Sequence, residues 1–132
     1  SEYVTCWGTG SARREFLHVD DLAEAIIFTL NNWDPSLSNA PRDSEDKEIT
    51  YLNIGTGKDI SIKELANLIA NEIGFKGKIH WDTAKPDGTP RKQLDISRIL
   101  KLGWTPKINL VDGIKESIIC FEKELRNNSL RV

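Results

Sequence analysis

Short runs of strand-forming residues alternate with helical apolar stripes along this chain, and this alternation restricts its fold more than any other feature. The segment 61–74 is the clearest helix. Ser61 and Glu64 have the spacing of a capping box, in which each side chain satisfies a free N–H at the start of a helix. Gly74 stands where the helix should stop, since a left-handed residue often ends a helix. We therefore predict a helix between Ser61 and Gly74.

Three further helices are predicted from apolar residues that recur every three or four positions. The first begins near Asp20 or Asp21, either of which could cap its free N–H groups. A short helix is capped by Asp95 and stopped by Gly103, and the last helix begins near Asn109. The first of these helices lies between predicted strands, and the other two follow the last one.

Strands are predicted from runs of β-branched, aromatic and aliphatic residues at 3–7, 15–19, 51–54 and 78–81. The first two could pair as a hairpin across the intervening Gly-rich turn. The resulting order, ββα–βα–βα–α, favours an α/β fold. So few short strands do not make a self-standing doubly wound sheet, and the set fits a lobe that completes a larger enzyme.

Two segments are predicted to be loops. Residues 34–48 lack periodicity and are dense in Pro, Ser and charge, which indicates a surface loop. Residues 82–93 are polar and contain Pro86, Gly88 and Pro90. The second loop also carries basic residues, which could bind a phosphorylated ligand.

Length and charge exclude several classes of protein. The 132 residues allow one domain or about half of a two-domain enzyme. Eighteen basic against twenty acidic residues give a net charge of -2, which argues against a nucleic-acid-binding protein. No apolar run has the roughly 18 residues that a membrane span requires. Cys6 and Cys120 cannot form a disulfide framework, so we expect a cytoplasmic protein without membrane or nucleic-acid partners.

Gly55-Thr56-Gly57 follows a predicted strand and precedes a helix, as in a dinucleotide-binding loop. That fingerprint needs a third small residue, and Ile60 stands in its place. A tight turn is the favoured interpretation.

Two basic segments suit a phosphorylated ligand. Arg14 follows the Gly8–Gly10 turn, and its forked donors match phosphate oxygens, although from the residues alone a surface salt bridge is the favoured interpretation. In the second segment Asp87 could accept hydrogen bonds from ribose, and Arg91 and Lys92 could contact phosphate or a second ribose. An exposed charged connector explains the second segment equally well. Trp7 could stack on a base or lie in the core.

His18 is the best general acid or base by residue type. The sequence places no nucleophile with it, so a structural role is favoured, as it is for His80. The Asp20–Asp21 pair fits helix capping better than metal binding.

The order of motifs resembles the C-terminal half of extended short-chain dehydrogenase/reductases, the family of nucleotide-sugar epimerases. The matching segments run along nearly the whole chain: Trp7–Gly10, Arg14–Ala23, Leu52–Gly57, Leu94–Arg98 and Leu102–Pro106. Within that family, Lys85-Pro86-Asp87-Gly88-Thr89-Pro90-Arg91-Lys92 resembles the GDP-L-fucose synthases. These are NADP-dependent epimerase/reductases of GDP-4-keto-6-deoxy-D-mannose. Ala12-Arg13 departs from the pattern, where a Pro and an apolar residue are more usual.

The resemblance implies that residues 1–132 form a single C-terminal substrate-binding lobe, without the Rossmann core. It assigns substrate binding to Trp7, to Arg14 at the diphosphate, to Asp87, and to Arg91 or Lys92. The GDP-linked sugar is the expected ligand.

The resemblance also places the catalytic groups outside this chain. The family's Tyr-x-x-x-Lys element fits neither Tyr3, followed by Trp7, nor Tyr51, followed by Gly55. We therefore assign no catalytic, cofactor-binding or metal-binding residue here. NADP should bind the N-terminal half of a longer parent, commonly a homodimer, and the chain alone should lack turnover. The alternatives are a lobe of another nucleotide-sugar epimerase or dehydratase, and a non-catalytic nucleotide-sugar-binding or interaction module.

Overall fold

A computed structural model, which describes residues 2–127 and 129, has an α/β fold, as predicted. Short strands alternate with helices along the chain. The elements in order are β1 (Tyr3–Trp7), β2 (Arg13–Glu15), α1 (Val19–Asn32), β3 (Asp59–Ser61), α2 (Ile62–Glu72), β4 (Lys78–Asp82), β5 (Arg91–Lys92), α3 (Ser97–Leu102) and α4 (Leu110–Arg126). No helix among the described residues is long and apolar enough to cross a bilayer.

The chain divides into two compact units. The first comprises residues within 1–14, 60–92 and 109–132, and the second those within 15–59 and 93–108. The units are interleaved in sequence, so each is built from segments that are distant along the chain.

In the first unit, β1 pairs with β4 in parallel, from Tyr3 opposite Lys78 to Trp7 opposite Asp82. The predicted hairpin of the first two strands is therefore wrong. The Gly8 amide continues the β1–β4 pairing by donating to the Asp82 carbonyl at 2.9 Å, whereas β2 belongs to a different sheet.

The second sheet has the strand order β3-β2-β5. Within the first unit, Arg13 lies opposite Arg91, and Arg14 opposite Lys92, in parallel register. The prediction of an uninterrupted loop over 82–93 is thus wrong near both ends, because Asp82 belongs to β4 and Arg91–Lys92 form β5. A two-residue strand is too short to leave an alternating pattern in the sequence.

The helices of the first unit begin where their caps predict. The Glu64 amide donates to Ser61 Oγ at 3.1 Å, and the Ser61 amide donates to Glu64 Oε2 at 2.9 Å, which confirms the capping box. Helix α4 begins after Asn109, whose side chain accepts from the Asp112 amide at 3.0 Å. Helices α2 and α4 are in contact.

The second unit has a small core of Ala25, Ile96, Ile99 and Trp104, with Leu17, Phe28 and Ile54 packed around it. The α1 cap differs from the prediction, because His18 Nδ1 accepts from the Asp20 amide at 3.3 Å. Asp21 is instead buried, at 2% exposure, and accepts from the amides of Lys107 and Ile108 at 3.1 and 2.9 Å. A buried carboxylate needs such donors.

Two predicted strands of this unit are wrong. Residues 51–54 form no ladder among the described residues, and Asn53 Nδ2 donates instead to the Asp95 carbonyl at 3.1 Å. Of the segment 15–19, only Glu15 is in a strand, since His18 already caps α1. An apolar run does not by itself supply a pairing partner.

The predicted helix stop at Gly103 and the loop at 34–48 are confirmed, whereas the predicted cap at Asp95 is wrong. Helix α3 ends at Gly103, which is left-handed with φ 104°. Asp95 Oδ1 accepts from the Ser97 amide at 2.9 Å near its start, although Ile96 is the N-cap residue. Residues 34–48 contain no helix or strand beyond an isolated bridge between Arg42 and Glu48.

Candidate functional site

Two segments of the first unit lie side by side: the Trp7 segment (7–14) and the Lys85 loop (82–92). The Arg13 amide donates to the Pro90 carbonyl at 2.8 Å, and β2 pairs with β5 just beyond. Every residue assigned to substrate binding from the sequence lies on one of these two segments. The fold therefore brings together residues that are far apart in the sequence, such as Arg13 and Arg91, which are 78 positions apart.

Trp7 is the last residue of β1 and is 72% exposed, so its side chain is not part of a core. Lys85 lies over its ring, with Nζ 5.4 Å from the ring centroid. This distance is within the range of a cation–π contact. Lys85 was missed among the candidates from the sequence, because only the β1–β4 register brings it near Trp7.

Asp87 joins the Lys85 loop to the turn after β1. Its Oδ2 accepts from the Thr9 hydroxyl at 2.6 Å, and its Oδ1 accepts from the Thr9 amide at 2.8 Å. The hydrogen bond from the Thr9 hydroxyl and then that from the Thr9 amide hold the pKa of the Asp87 carboxyl below its ordinary value. A carboxylate has about four acceptor positions, and the Thr9 amide and hydroxyl use two of them.

The turn requires glycine at position 8. Gly8 has φ +78°, and a Cβ there would overlap Oδ1 of Asp87. The missing side chain thus permits the close approach of Asp87 to Thr9. The turn was predictable from the sequence, but its contact with the Lys85 loop was not.

Arg14 lies along the backbone of the Lys85 loop. Its Nη1 donates to the Thr89 carbonyl at 2.7 Å and to the Arg13 carbonyl at 2.6 Å. A Cβ at Gly88 would be 3.0 Å from Nη2, so the glycine admits the guanidinium. Both bonds are accepted by neutral carbonyls, so they do not neutralise the positive charge of Arg14. Arg13, by contrast, lies 3.8 Å from the carboxylate of Glu64.

The register of β2 and β5 shows which face of the sheet Arg91 and Lys92 each occupy. Residues directly opposite each other on neighbouring strands project to the same face of the sheet. Lys92 lies opposite Arg14, and Arg91 lies opposite Arg13. Lys92 therefore shares a face with Arg14, and both β5 residues are exposed.

The Gly55–Gly57 turn does not fit the phosphates of a dinucleotide. Glu15 Oε1 already accepts from the amides of Thr56 and Gly57, each at 2.5 Å, and Oε2 accepts from the Leu94 amide at 2.9 Å. An internal carboxylate thus occupies the donors that a phosphate would use. The interpretation as a structural turn is supported.

The remaining candidate side chains have structural surroundings. His18 caps α1, and His80 lies in β4 opposite Thr5. Cys6 and Cys120 are free thiols.

Comparison with known proteins matches residues 1–41 to the NAD dependent epimerase/dehydratase family. The chain is 44% identical over 127 residues to GDP-L-fucose synthase 1 of Arabidopsis thaliana, covering 96% of this chain and 35% of that protein. The structure resembles a GDP-6-OMe-4-keto-L-xylo-heptose reductase from Campylobacter jejuni, with TM-score 0.83 and 43% identity, covering 93% of this chain and 34% of the reductase.

A second solved structure, a GDP-mannoheptose C4 reductase from Campylobacter jejuni with NADP bound, is 41% identical with TM-score 0.74, covering 92% of this chain and 35% of that one. The chain thus spans about a third of the length of the relatives it matches. Most of the chain is therefore similar to a portion of GDP-L-fucose synthases, including that of Escherichia coli, to which it is 44% identical over 119 residues.

Proposed function

We propose that this chain is the substrate-binding lobe of a GDP-sugar epimerase/reductase, with residues 1–132 acting as one lobe. The observation that carries the proposal is the pairing of the Trp7 segment with the Lys85 loop. That pairing gathers an exposed indole, a carboxylate and two cations from distant parts of the sequence. Relatives named for GDP-sugar chemistry support GDP as the nucleotide.

The diphosphate would bind at Arg14 and Lys92, which share a face of the second sheet. Arg14 is suited to this because the two backbone carbonyls that it contacts fix its guanidinium without neutralising it. Between the two β5 residues, the register supports Lys92 as the ligand contact, with Arg91 on the opposite face.

The base would stack on Trp7, whose ring is broad, rigid and largely exposed. Asp87 would accept from a hydroxyl of the nucleotide sugar while its hydrogen bonds to Thr9 hold the carboxylate in place. Together these contacts would hold the sugar in place by its nucleotide. Such positioning can lower a reaction barrier by several kcal/mol without a catalytic group in this lobe.

The chemistry itself is proposed to belong to the rest of a longer parent protein. When bound, NADPH would supply hydride to a keto sugar, and the groups that bind it, together with the Tyr-x-x-x-Lys element, would lie N-terminal to this lobe. The NADP in a similar solved structure supports this cofactor. The chain alone should then show no turnover. A cytoplasmic location and a homodimeric parent are proposed from the family resemblance.

A GDP-linked heptose is a second candidate for the sugar. The observation that favours it is the 43% identity to a heptose reductase, which is close to the 44% identity to a fucose synthase. Both candidates make the same prediction for the nucleotide.

Calorimetric titration of the chain with GDP and with UDP tests the proposal. We expect GDP to bind more tightly, and Arg14→Ala to weaken binding about tenfold or more, because a charge-assisted hydrogen bond contributes roughly 1.5–3 kcal/mol. Arg126→Ala is the matched control, since Arg126 lies in the last turn of α4. Equal or tighter binding of UDP would contradict a GDP-sugar lobe.

A further inference from the structure

Lys85, which the family resemblance did not assign to the ligand site, lies over the ring of Trp7. Lys85 Nζ lies 5.4 Å from the ring centroid, although Trp7 remains 72% exposed. The ring therefore combines open surface, on which a flat group could stack, with a charged side chain held beside it. An exposed indole without such a contact would be free to change its side-chain rotamer.

The backbone fixes Lys85 relative to Trp7. The carbonyl of Asp82, the residue opposite Trp7 in the β1–β4 register, accepts from two amides. One is that of Gly8, directly after Trp7, at 2.9 Å, and the other is that of Lys85, at 3.2 Å. A single carbonyl thus ties the end of β1 to the start of the Lys85 loop.

The side chain of Asp82 reinforces this turn. Its Oδ1 accepts from the Ala84 amide at 3.1 Å, as in an Asx turn, which stabilises the tight reversal from β4 into the loop. The hydrogen bonds accepted by Asp82 thus stabilise the turn that places Lys85 over the indole.

We propose that Lys85 is a positioning residue that orients the Trp7 indole for stacking on the base of the nucleotide. The inference rests on the proposed function, since it requires the ring to be part of the ligand site. Lys85 acts before the ligand arrives: it restricts the ring, so that less side-chain freedom is lost when a base stacks. An aromatic ring attracts a cation through its negatively polarised face, so arginine should substitute for lysine but glutamine should not.

The first measurement follows the ring without any ligand. The chain is labelled with 5-fluorotryptophan, and Trp7→Phe identifies the Trp7 resonance among the four tryptophans. Lys85→Gln should shift and sharpen that 19F resonance as the ring becomes more mobile, whereas Lys85→Arg should leave it near its original position. Lys76→Gln, at an exposed lysine of the same unit, is the control and should change nothing.

The second measurement is a double-mutant cycle with GDP binding as the readout. Lys85→Gln should weaken GDP binding about two- to fivefold, the range expected of an exposed cation–π contact, and Lys85→Arg should retain the affinity. In a Trp7→Leu background, Lys85→Gln should have no further effect. This non-additivity is the signature of a residue that acts through the ring.

Three results would overturn the inference. If Trp7→Leu weakens GDP binding and Lys85→Gln does not, Lys85 has no positioning role, and the proposed site stands. If Lys85→Gln weakens binding equally with and without Trp7, its charge acts directly on the phosphates. If Trp7→Leu binds GDP as tightly as the unaltered chain, the ring lies outside the site, so the proposed stacking role of Trp7 fails and this inference fails with it.

Discussion

Asp87 accepts hydrogen bonds from both the amide and the hydroxyl of Thr9, at 2.8 and 2.6 Å, across 78 positions of sequence. This pair of bonds holds the Lys85 loop against the turn that follows Trp7. The loop carries half of the proposed ligand contacts, so the geometry of the site depends on a link between two residues outside any helix or strand.

The first prediction concerns the pH dependence of this link. Because the Thr9 hydrogen bonds lower the pKa of Asp87 in the folded chain, their stabilising contribution is fully present above the ordinary Asp value of about 3.9. It is lost as the pH falls below that value through the lower pKa of the folded state. The Thr9 amide resonance should therefore be constant from pH 7 to 5 and move upfield below about pH 4.

Asp87→Asn is the control for this titration. The substitution removes the titrating group, so the Thr9 amide should lose its acidic transition. A Thr9 resonance that titrates alike in both chains would show that another carboxyl is responsible.

Gly8→Ala should destabilise the first unit. The alanine would combine a left-handed backbone with an overlap between its Cβ and Asp87, so the free energy of unfolding should fall by about 1–3 kcal/mol. Gly74→Ala is the matched control, because Gly74 has φ +64° but no heavy atom lies within 4 Å of the position that a Cβ would take. Chemical denaturation should show a larger loss at position 8, and equal losses would argue against the close approach of Asp87.

Glu15→Ala should destabilise the second unit, because it removes the acceptor of three backbone amides at Thr56, Gly57 and Leu94. Amides left without partners at a half-buried site cost about 1–3 kcal/mol each if water cannot replace the carboxylate. Hydrogen exchange at these amides should accelerate. Glu45→Ala, in the exposed 34–48 loop, should have little effect, and an equally small effect of Glu15→Ala would contradict its structural role.

Lys92→Gln should weaken GDP binding more than Arg91→Gln. Lys92 shares a face with Arg14, and Arg91 shares the opposite face with Arg13. Because the two substitutions each remove one positive charge from adjacent exposed positions, they control for net charge. The larger effect at Arg91 would place the ligand on the opposite face of the sheet.

Sequence reasoning succeeded where the determinants are local. The capping box of Ser61 and Glu64, and the stop at Gly103, depend on residues within one turn of the helix end. It failed where an element needs a distant partner: β5 exists because it pairs with β2, and residues 51–54 have strand composition but no ladder among the described residues.

The same limit applied to the candidate site. Arg14 and Asp87 could be selected from residue type and resemblance, because phosphate and hydroxyl recognition favours those groups. The contacts that hold them could not be predicted. Thr9 and Lys85 acquire their partners only through the β1–β4 register and the turn after Asp82.

The most direct test of the central claim is to map GDP onto the chain by two-dimensional amide NMR. We predict that the largest shift changes on titration occur in the Trp7 segment and the Lys85 loop, including the amides of Thr9, Arg14 and Lys92, and that UDP produces weaker changes at the same positions. Shift changes centred on Thr56 and Gly57, or scattered without a cluster in those two segments, would contradict it.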